Sequence, residues 1–189
     1  MLVITSTTTL VPDNPAAAYA AYRQAASAVF LAGTQGLKYK KDHYDLAVDL
    51  SKAGLTYIDE RADEIVIGAM TPLWQIKISQ AIQNFAGGAI SKAISDVADK
   101  NIQRYGTLGG VISSKAPFSV LLPILLSLHV DVQLQDKGCM SLDDYLHCPP
   151  MGELVTGISI AKEAVYTAYK AYRKLPVDEP YLVGAVAMR

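Results

Sequence analysis

The residues best placed to do chemistry in this chain are glycines. Leu31-Ala32-Gly33-Thr34-Gln35-Gly36-Leu37 follows directly on the apolar run Ala28-Val29-Phe30, and Tyr105-Gly106-Thr107-Leu108-Gly109-Gly110-Val111 comes about seventy residues later. Glycine lacks the Cβ that keeps other atoms away from the main chain, so each turn marks a place where backbone approaches something closely. Two such loops can hold a diphosphate through peptide N–H groups, with no charged side chain. That chemistry predicts a dinucleotide site, with FAD as the expected ligand. The alternative for either turn alone is an ordinary tight turn, because glycine punctuates loops everywhere.

Nothing else in the sequence forms a reactive constellation. Asp143 and Asp144 are adjacent and point apart, which suits the start of a helix better than acid–base work. His43, His129 and His147 are scattered, with no pair at i, i+4, so no metal site is expected. Cys139 and Cys148 are too few and too poorly spaced for zinc or an iron–sulfur cluster, and Cys148, beside Pro149-Pro150, reads as structural. No catalytic residue is expected, and none is needed if a flavin performs the redox chemistry and the protein binds and orients it.

The bulk properties narrow the class. Of the 189 residues, 51% are hydrophobic and 19% charged, which excludes a disordered chain, and a net charge of −1 with no basic stripe excludes nucleic-acid binding. The longest apolar run, Pro117 to Leu128, is too short for a membrane span and contains Pro123. With no signal peptide in view, a soluble protein of the reducing cytoplasm is expected.

The elements that must position the loops can be read locally. Asn14-Pro15 predicts a capped helix over Ala16 to Ala26, with Tyr19, Tyr22 and Ala26 on its packed face. Ala28 to Ala32 and Leu46 to Leu50 read as strands either side of the polar stretch Lys38 to Tyr44. Leu55 to Asp59 and Glu64 to Gly68 read as a hairpin, and Thr71 as the cap of the next helix. Trp74 and Tyr57 sit in apolar-patterned segments and read as core. Gly87-Gly88 splits a helical region whose second half, Ala89 to Ala98, has one apolar face. Further on come an apolar helix over Ser119 to Leu128, an alternating strand over Val130 to Gln135, and a turn at Asp136-Lys137-Gly138. A short helix capped by Ser141 follows, then strands over Leu154 to Ile160, Val165 to Tyr172 and Tyr181 to Met188. The pattern predicts an α+β fold of two small subdomains, 1–70 and 71–189. The order of elements argues against a doubly wound nucleotide fold, since neither loop reads G-x-G-x-x-G with an acid about twenty residues on.

The order Leu31-Ala32-Gly33, Ile67-Gly68-Ala69-Met70-Thr71, Gly106-Thr107-Leu108-Gly109-Gly110 and Glu153-Leu154 resembles the FAD-binding medium subunit of the xanthine dehydrogenase and carbon monoxide dehydrogenase family. The chain is most similar to the small FAD-binding subunit of selenium-dependent, xanthine-dehydrogenase-like molybdenum hydroxylases. The stretches Ser119-Val120-Leu121-Leu122-Pro123 and Ser141-Leu142-Asp143-Asp144-Tyr145-Leu146 carry that finer likeness. The resemblance implies FAD held between two α+β subdomains in the vanillyl-alcohol-oxidase-like manner. It carries the family's first loop, A-G-G-T-x-L, onto Ala32, Gly33, Thr34, Gln35, Gly36 and Leu37. Its second, T-I-G-G-N, falls on Thr107, Leu108, Gly109, Gly110 and Val111. Leu154 is implied beside the flavin or adenine, and Lys170 near the cofactor.

The chain departs from that pattern at Thr34, where the family has its second glycine, and at Val111, where it has asparagine. The sequence also stops at Arg189, before the C-terminal subdomain that most relatives carry. By resemblance the protein is an oxidoreductase subunit. A molybdenum-binding large subunit and an iron–sulfur small subunit would deliver electrons to its FAD, and a nicotinamide nucleotide would accept them. A flavin-free assembly module of such a complex is the alternative. Replacing Gly109 by a β-branched residue is expected to release flavin and leave the fold intact.

Overall fold

The computed structural model describes residues 5–35, 37, 42–97, 99–116, 119–175 and 178–189. The N-terminal lobe is a three-stranded parallel sheet, β1 (Thr5–Leu10), β3 (His43–Asp49) and β2 (Ala28–Leu31), with β3 in the middle. Helix α1 (Pro15–Gln24) covers it and starts where the sequence places it: Asn14 Oδ1 accepts from Ala17 N at 2.8 Å, and Pro15 occupies the first turn. The helix ends two residues earlier than expected, so Ala26 is exposed outside it, and only Tyr19 and Tyr22 form the packed aromatic stripe. Tyr22 stacks on Phe30 of β2 at 4.2 Å between centroids. Ala18, Val48, Leu50, Ala53 and Leu55 close this small core.

Strand β1 has no counterpart among the sequence-based expectations. Its Thr-Ser-Thr-Thr-Thr-Leu is nearly all exposed and lacks the apolar alternation by which a half-buried strand is recognised. Its threonines suit extended backbone sterically, and hydrogen bonding to β3 does the rest.

The second lobe is a five-stranded antiparallel sheet. The hairpin β4 (Ile58–Glu60) and β5 (Glu64–Gly68) forms one edge, β8 (Val155–Ala161) the centre, and β6 (Val130–Leu134) with β7 (Gly138–Ser141) the other edge. Val130, Val132 and Leu134 point into the core while Asp131 faces out, as the alternation requires. The strands change sheet between Asp49 and Ile58, so the hairpin 58–68 hydrogen-bonds to β8 across the chain from the expected boundary at residues 70 and 71.

Short helices complete this lobe, α2 (Leu73–Ile78), α3 (Gln80–Asn84), α4 (Ala89–Ser95), α5 (Lys100–Tyr105), α6 (Leu108–Ser114), α7 (Leu122–Ser127) and α8 (Leu142–His147), with α6 and α8 against the sheet and α2, α3 and α5 packed on neighbouring helices. The break before α4 is steric. Ala86, Gly87 and Gly88 all have positive φ, of 49°, 57° and 71°, which no helix continues. Ser141 caps α8 as expected, accepting from Asp144 N at 3.0 Å. Thr71 does not cap α2. Its buried hydroxyl accepts from Tyr57 N at 3.1 Å and donates to Tyr57 O at 2.9 Å, pinning the lead-in to β4, and Pro72 takes the cap position. The helix expected from Ser119 begins at Leu122, and Ser119 Oγ accepts from Leu122 N at 3.3 Å. A final antiparallel hairpin, β9 (Tyr166–Tyr172) with β10 (Leu182–Met188), packs against α4 and α7. None of the described helices is long and apolar enough to cross a membrane.

Candidate cofactor site

The two glycine loops meet backbone to backbone. A Cβ built on Gly33 would overlap the carbonyl oxygen of Tyr105 and lie 2.9 Å from its carbonyl carbon and 3.1 Å from Gly106 Cα. Only glycine permits that approach. The first loop leaves β2 at Leu31. Ala32, Gly33, Gln35 and Leu37 are half-buried, Thr34 is exposed at its tip, and Gly36 lies outside the described residues. Neither loop carries an acidic side chain, so no negative charge opposes an anion there.

The second loop is held by its own hydrogen bonds. Thr107 caps α6, with its Oγ1 accepting from Gly110 N at 3.2 Å and its carbonyl from Val111 N at 3.0 Å. Leu108 N donates to Thr71 O at 3.1 Å, Gly109 N to Ala69 O at 2.8 Å, and Leu73 N to Gly106 O at 2.9 Å. The peptide donors of residues 108–111 are thus engaged inside the protein, and the loop forms a rigid shelf against the segment 69–73.

The glycines of this shelf differ in purpose. Gly106 and Gly109 are buried, and a Cβ on Gly109 would come within 2.8 Å of Ala69 Cβ. A β-branched residue at Gly109 therefore damages the fold itself, which corrects the expectation that the fold would survive that change. Gly110 is exposed, and a Cβ there would meet only Thr107 Oγ1, at 3.0 Å.

Thr34 has a φ of 55°, one of three non-glycine residues with positive φ among those described. A β-branched side chain in this region is strained by about 1–2 kcal/mol. Thr34→Gly is expected to raise stability by about 1 kcal/mol, since the loss of strain exceeds the entropic cost of glycine. Chemical denaturation measures it, and a less stable variant would show that the side chain supports the loop.

Leu154 is buried in the core of the first lobe with Ala18, Val48 and Leu50, although it precedes β8 of the second. Lys170 sits on the exposed face of β9, opposite Gly184 of β10, with its Nζ 5.8 Å from the Tyr172 ring centre. The hairpin packs on α4, α7 and the turn 85–88, so Lys170 is not brought together with the glycine loops as Gly33 and Tyr105 are. Tyr57 is half-buried, and burial pushes its phenol up. Trp74 was expected in the core but is 43% exposed, because it lies on the outward face of α2 between buried Leu73 and Ile76.

The sequence gives no sign of one further contact. Tyr19 of α1 donates to Glu153 Oε1 at 2.7 Å, across 134 positions, and Glu153 Oε2 accepts from Asp136 N at 3.3 Å. The bond to the Glu153 carboxylate pushes the Tyr19 phenol above its ordinary value. A cleft of about 540 Å³ opens elsewhere between Asp63, His129, Asp131, Asp143 and Ser159. No group of three or more His, Cys, Asp or Glu that could hold a metal ion occurs among the described residues.

Comparison with known proteins agrees with this geometry. Residues 5–162 match the model of the FAD binding domain in molybdopterin dehydrogenase. The protein YgfM of Escherichia coli (strain K12) is 28% identical over 163 residues, which are 85% of this chain and 61% of that protein. The chain thus spans about three fifths of the length of the curated relative. Among solved structures, a chain of carbon monoxide dehydrogenase from Hydrogenophaga pseudoflava superposes with a TM-score of 0.88 at 22% identity, covering 100% of this chain and 70% of that one. A chain of quinoline 2-oxidoreductase from Pseudomonas putida 86 gives 0.86 at 18% identity, covering 97% and 67%. These likenesses establish the two-lobed α+β fold, and the match over residues 5–162 establishes the family: the chain belongs to the FAD-binding domains of molybdopterin dehydrogenases.

Proposed function

We propose that this chain is the FAD-carrying electron-transfer part of a multi-subunit molybdenum hydroxylase, with FAD seated where the two glycine loops meet. The observation that carries the reading is the backbone contact of Gly33 with Tyr105 and Gly106, which joins two loops that lie far apart in sequence. The residues fit the cofactor there: the first loop offers an exposed tip at Thr34, the second an exposed glycine at Gly110, and neither carries an acid. When bound, FAD supplies the redox chemistry. The chain's own task is to bind and orient it. Ala32, Gly33, Thr34 and Gln35 face the diphosphate, and Thr107, Leu108 and Gly109 form the shelf that fixes them. Gly110 leaves room beside that shelf. Leu154 acts through the first core, and Lys170, on the exposed face of β9, stands apart from the loops.

In this reading the electrons come from iron–sulfur clusters on a small partner subunit, ultimately from a molybdenum site on a large one. A nicotinamide nucleotide accepts them. The finer likeness in Ser119 to Pro123 and Ser141 to Leu146 favours the selenium-dependent, xanthine-dehydrogenase-like branch and a cytoplasmic complex. A second reading, a flavin-free assembly module, is favoured by the strained Thr34 and by the engaged peptide donors of the second loop.

Flavin binding by the parent protein separates the two, and Gly110→Leu then tests where the flavin sits. The position is exposed and helical, and the one close neighbour of a new Cβ is the Thr107 hydroxyl at 3.0 Å, which must give slightly at the cost of part of the helix cap, while a cofactor beside it is displaced. FAD affinity is expected to fall about tenfold or more, a loss of about 1.4 kcal/mol, with the fold retained and stability lowered by no more than the roughly 1 kcal/mol of a helix cap. Undiminished affinity in the folded variant would move the site away from this shelf.

A further inference from the structure

The segment 152–154 leads into β8 of the second lobe, yet its side chains belong to the first. Leu154 fills the first core. Gly152 turns at a φ of 71°, and a Cβ there would lie 3.7 Å from the Tyr22 ring. Between them Glu153 divides its carboxylate: Oε1 accepts from the Tyr19 hydroxyl on α1 at 2.7 Å, and Oε2 from Asp136 N beyond the end of β6 at 3.3 Å. Gln135 N donates to Leu154 O at 3.0 Å, so the same strap is fastened to the second lobe through its backbone.

This strap has a physical route to the cofactor loops. Tyr19 and Tyr22 share α1, Tyr22 stacks on Phe30, and Phe30 lies three residues before Gly33, whose backbone abuts Tyr105 of the second lobe. In the described structure the lobes touch at the glycine contact, at the strap, and where Met70 N donates to Leu55 O at 2.8 Å with Gly68 close against the Leu55 carbonyl; of these the strap alone carries the bond from Tyr19 to Glu153. The contact at Leu55 is made by the chain that links the lobes, whereas the strap ties α1 itself, at a point remote in sequence, and so further restricts the first lobe before the ligand arrives, which is how preorganisation raises affinity.

We propose that Glu153 is a positioning residue for the dinucleotide site: by holding Tyr19 it sets the first lobe, and with it the Gly33 loop, against the second-loop shelf. This rests on the reading of FAD between the loops. Glu153 touches no reacting atom; it acts through α1. The tie is local and polar, so its loss loosens the register of the lobes without emptying either core.

The test is the full chain carrying Tyr19→Phe, Glu153→Ala, Glu153→Gln and the double variant Tyr19→Phe/Glu153→Ala. FAD affinity is read by flavin fluorescence, and amide exchange over α1 by mass spectrometry. Tyr19→Phe and Glu153→Ala should each weaken FAD binding by about tenfold and quicken exchange in α1. The double variant should be no weaker than Glu153→Ala alone, because Glu153→Ala already removes the bond that Tyr19→Phe breaks. Glu153→Gln keeps an acceptor for the Tyr19 hydroxyl but loses the one for Asp136 N, so it should lie between the parent protein and Glu153→Ala. Unchanged FAD affinity in both single variants overturns the positioning role, whatever α1 does, and additive losses in the double variant overturn it too. If the parent protein binds no FAD, the cofactor reading fails by itself; faster exchange in α1 of both single variants would still support the tie, and unchanged exchange would overturn it.

Discussion

Gly33→Ala is expected to abolish FAD binding and to lower stability by about 3 kcal/mol, the upper range for forcing atoms into a packed interior. The added methyl would overlap the Tyr105 carbonyl oxygen. Both partners are main chain, so no rotamer change relieves the overlap, and the loops must separate. For a chain of this size the loss corresponds to a fall of about 6–12 °C in the thermal midpoint. The second lobe should survive, since its core of Ile65, Ile67, Ile158 and Ile160 does not include Gly33. Circular dichroism with flavin titration measures both effects. A variant that binds FAD normally would show that the loops need not touch.

Gly109→Val has the other large effect, and it acts on the fold first. Its Cβ would lie 2.8 Å from Ala69 Cβ and 3.0 Å from Ala69 O, in the interior where β5 gives way to the turn before α2. A loss of about 3 kcal/mol or more is expected from overpacking, and any loss of flavin follows from it. Ala69→Gly removes the nearer of the two clashing atoms. The double variant Gly109→Ala/Ala69→Gly should therefore recover part of the stability lost in Gly109→Ala, as denaturant midpoints will show. No recovery would mean that the carbonyl of Ala69, not its methyl, sets the limit. Comparison with Gly110→Leu then separates a structural glycine from one that makes room for a ligand.

These distinctions mark where sequence reading stops. The cap at Asn14, the hairpin at 58–68, the alternation in Val130 to Leu134 and the Ser141 cap were all legible, because each is a pattern within a few residues. The glycine loops were legible as places of close approach. What approaches them was not: the partner of Gly33 is a carbonyl over seventy positions away, and that of Gly109 is the methyl of Ala69. Thr71 shows tertiary structure overriding a local signal, since its hydroxyl serves Tyr57 instead of its own helix. Strand β1 was invisible for lack of apolar period, and its threonines reveal themselves only as hydrogen-bonding partners of β3. The bond from Tyr19 to Glu153 joins residues that no pattern connects.

The account stands on the junction of the two loops as an FAD site, and the absorbance spectrum of the purified chain tests it most directly. After incubation with FAD and desalting, the protein is expected to keep flavin bands amounting to about one flavin per chain, as one site per two-lobed domain requires. A folded protein that elutes colourless, with circular dichroism showing both helix and sheet, would contradict it.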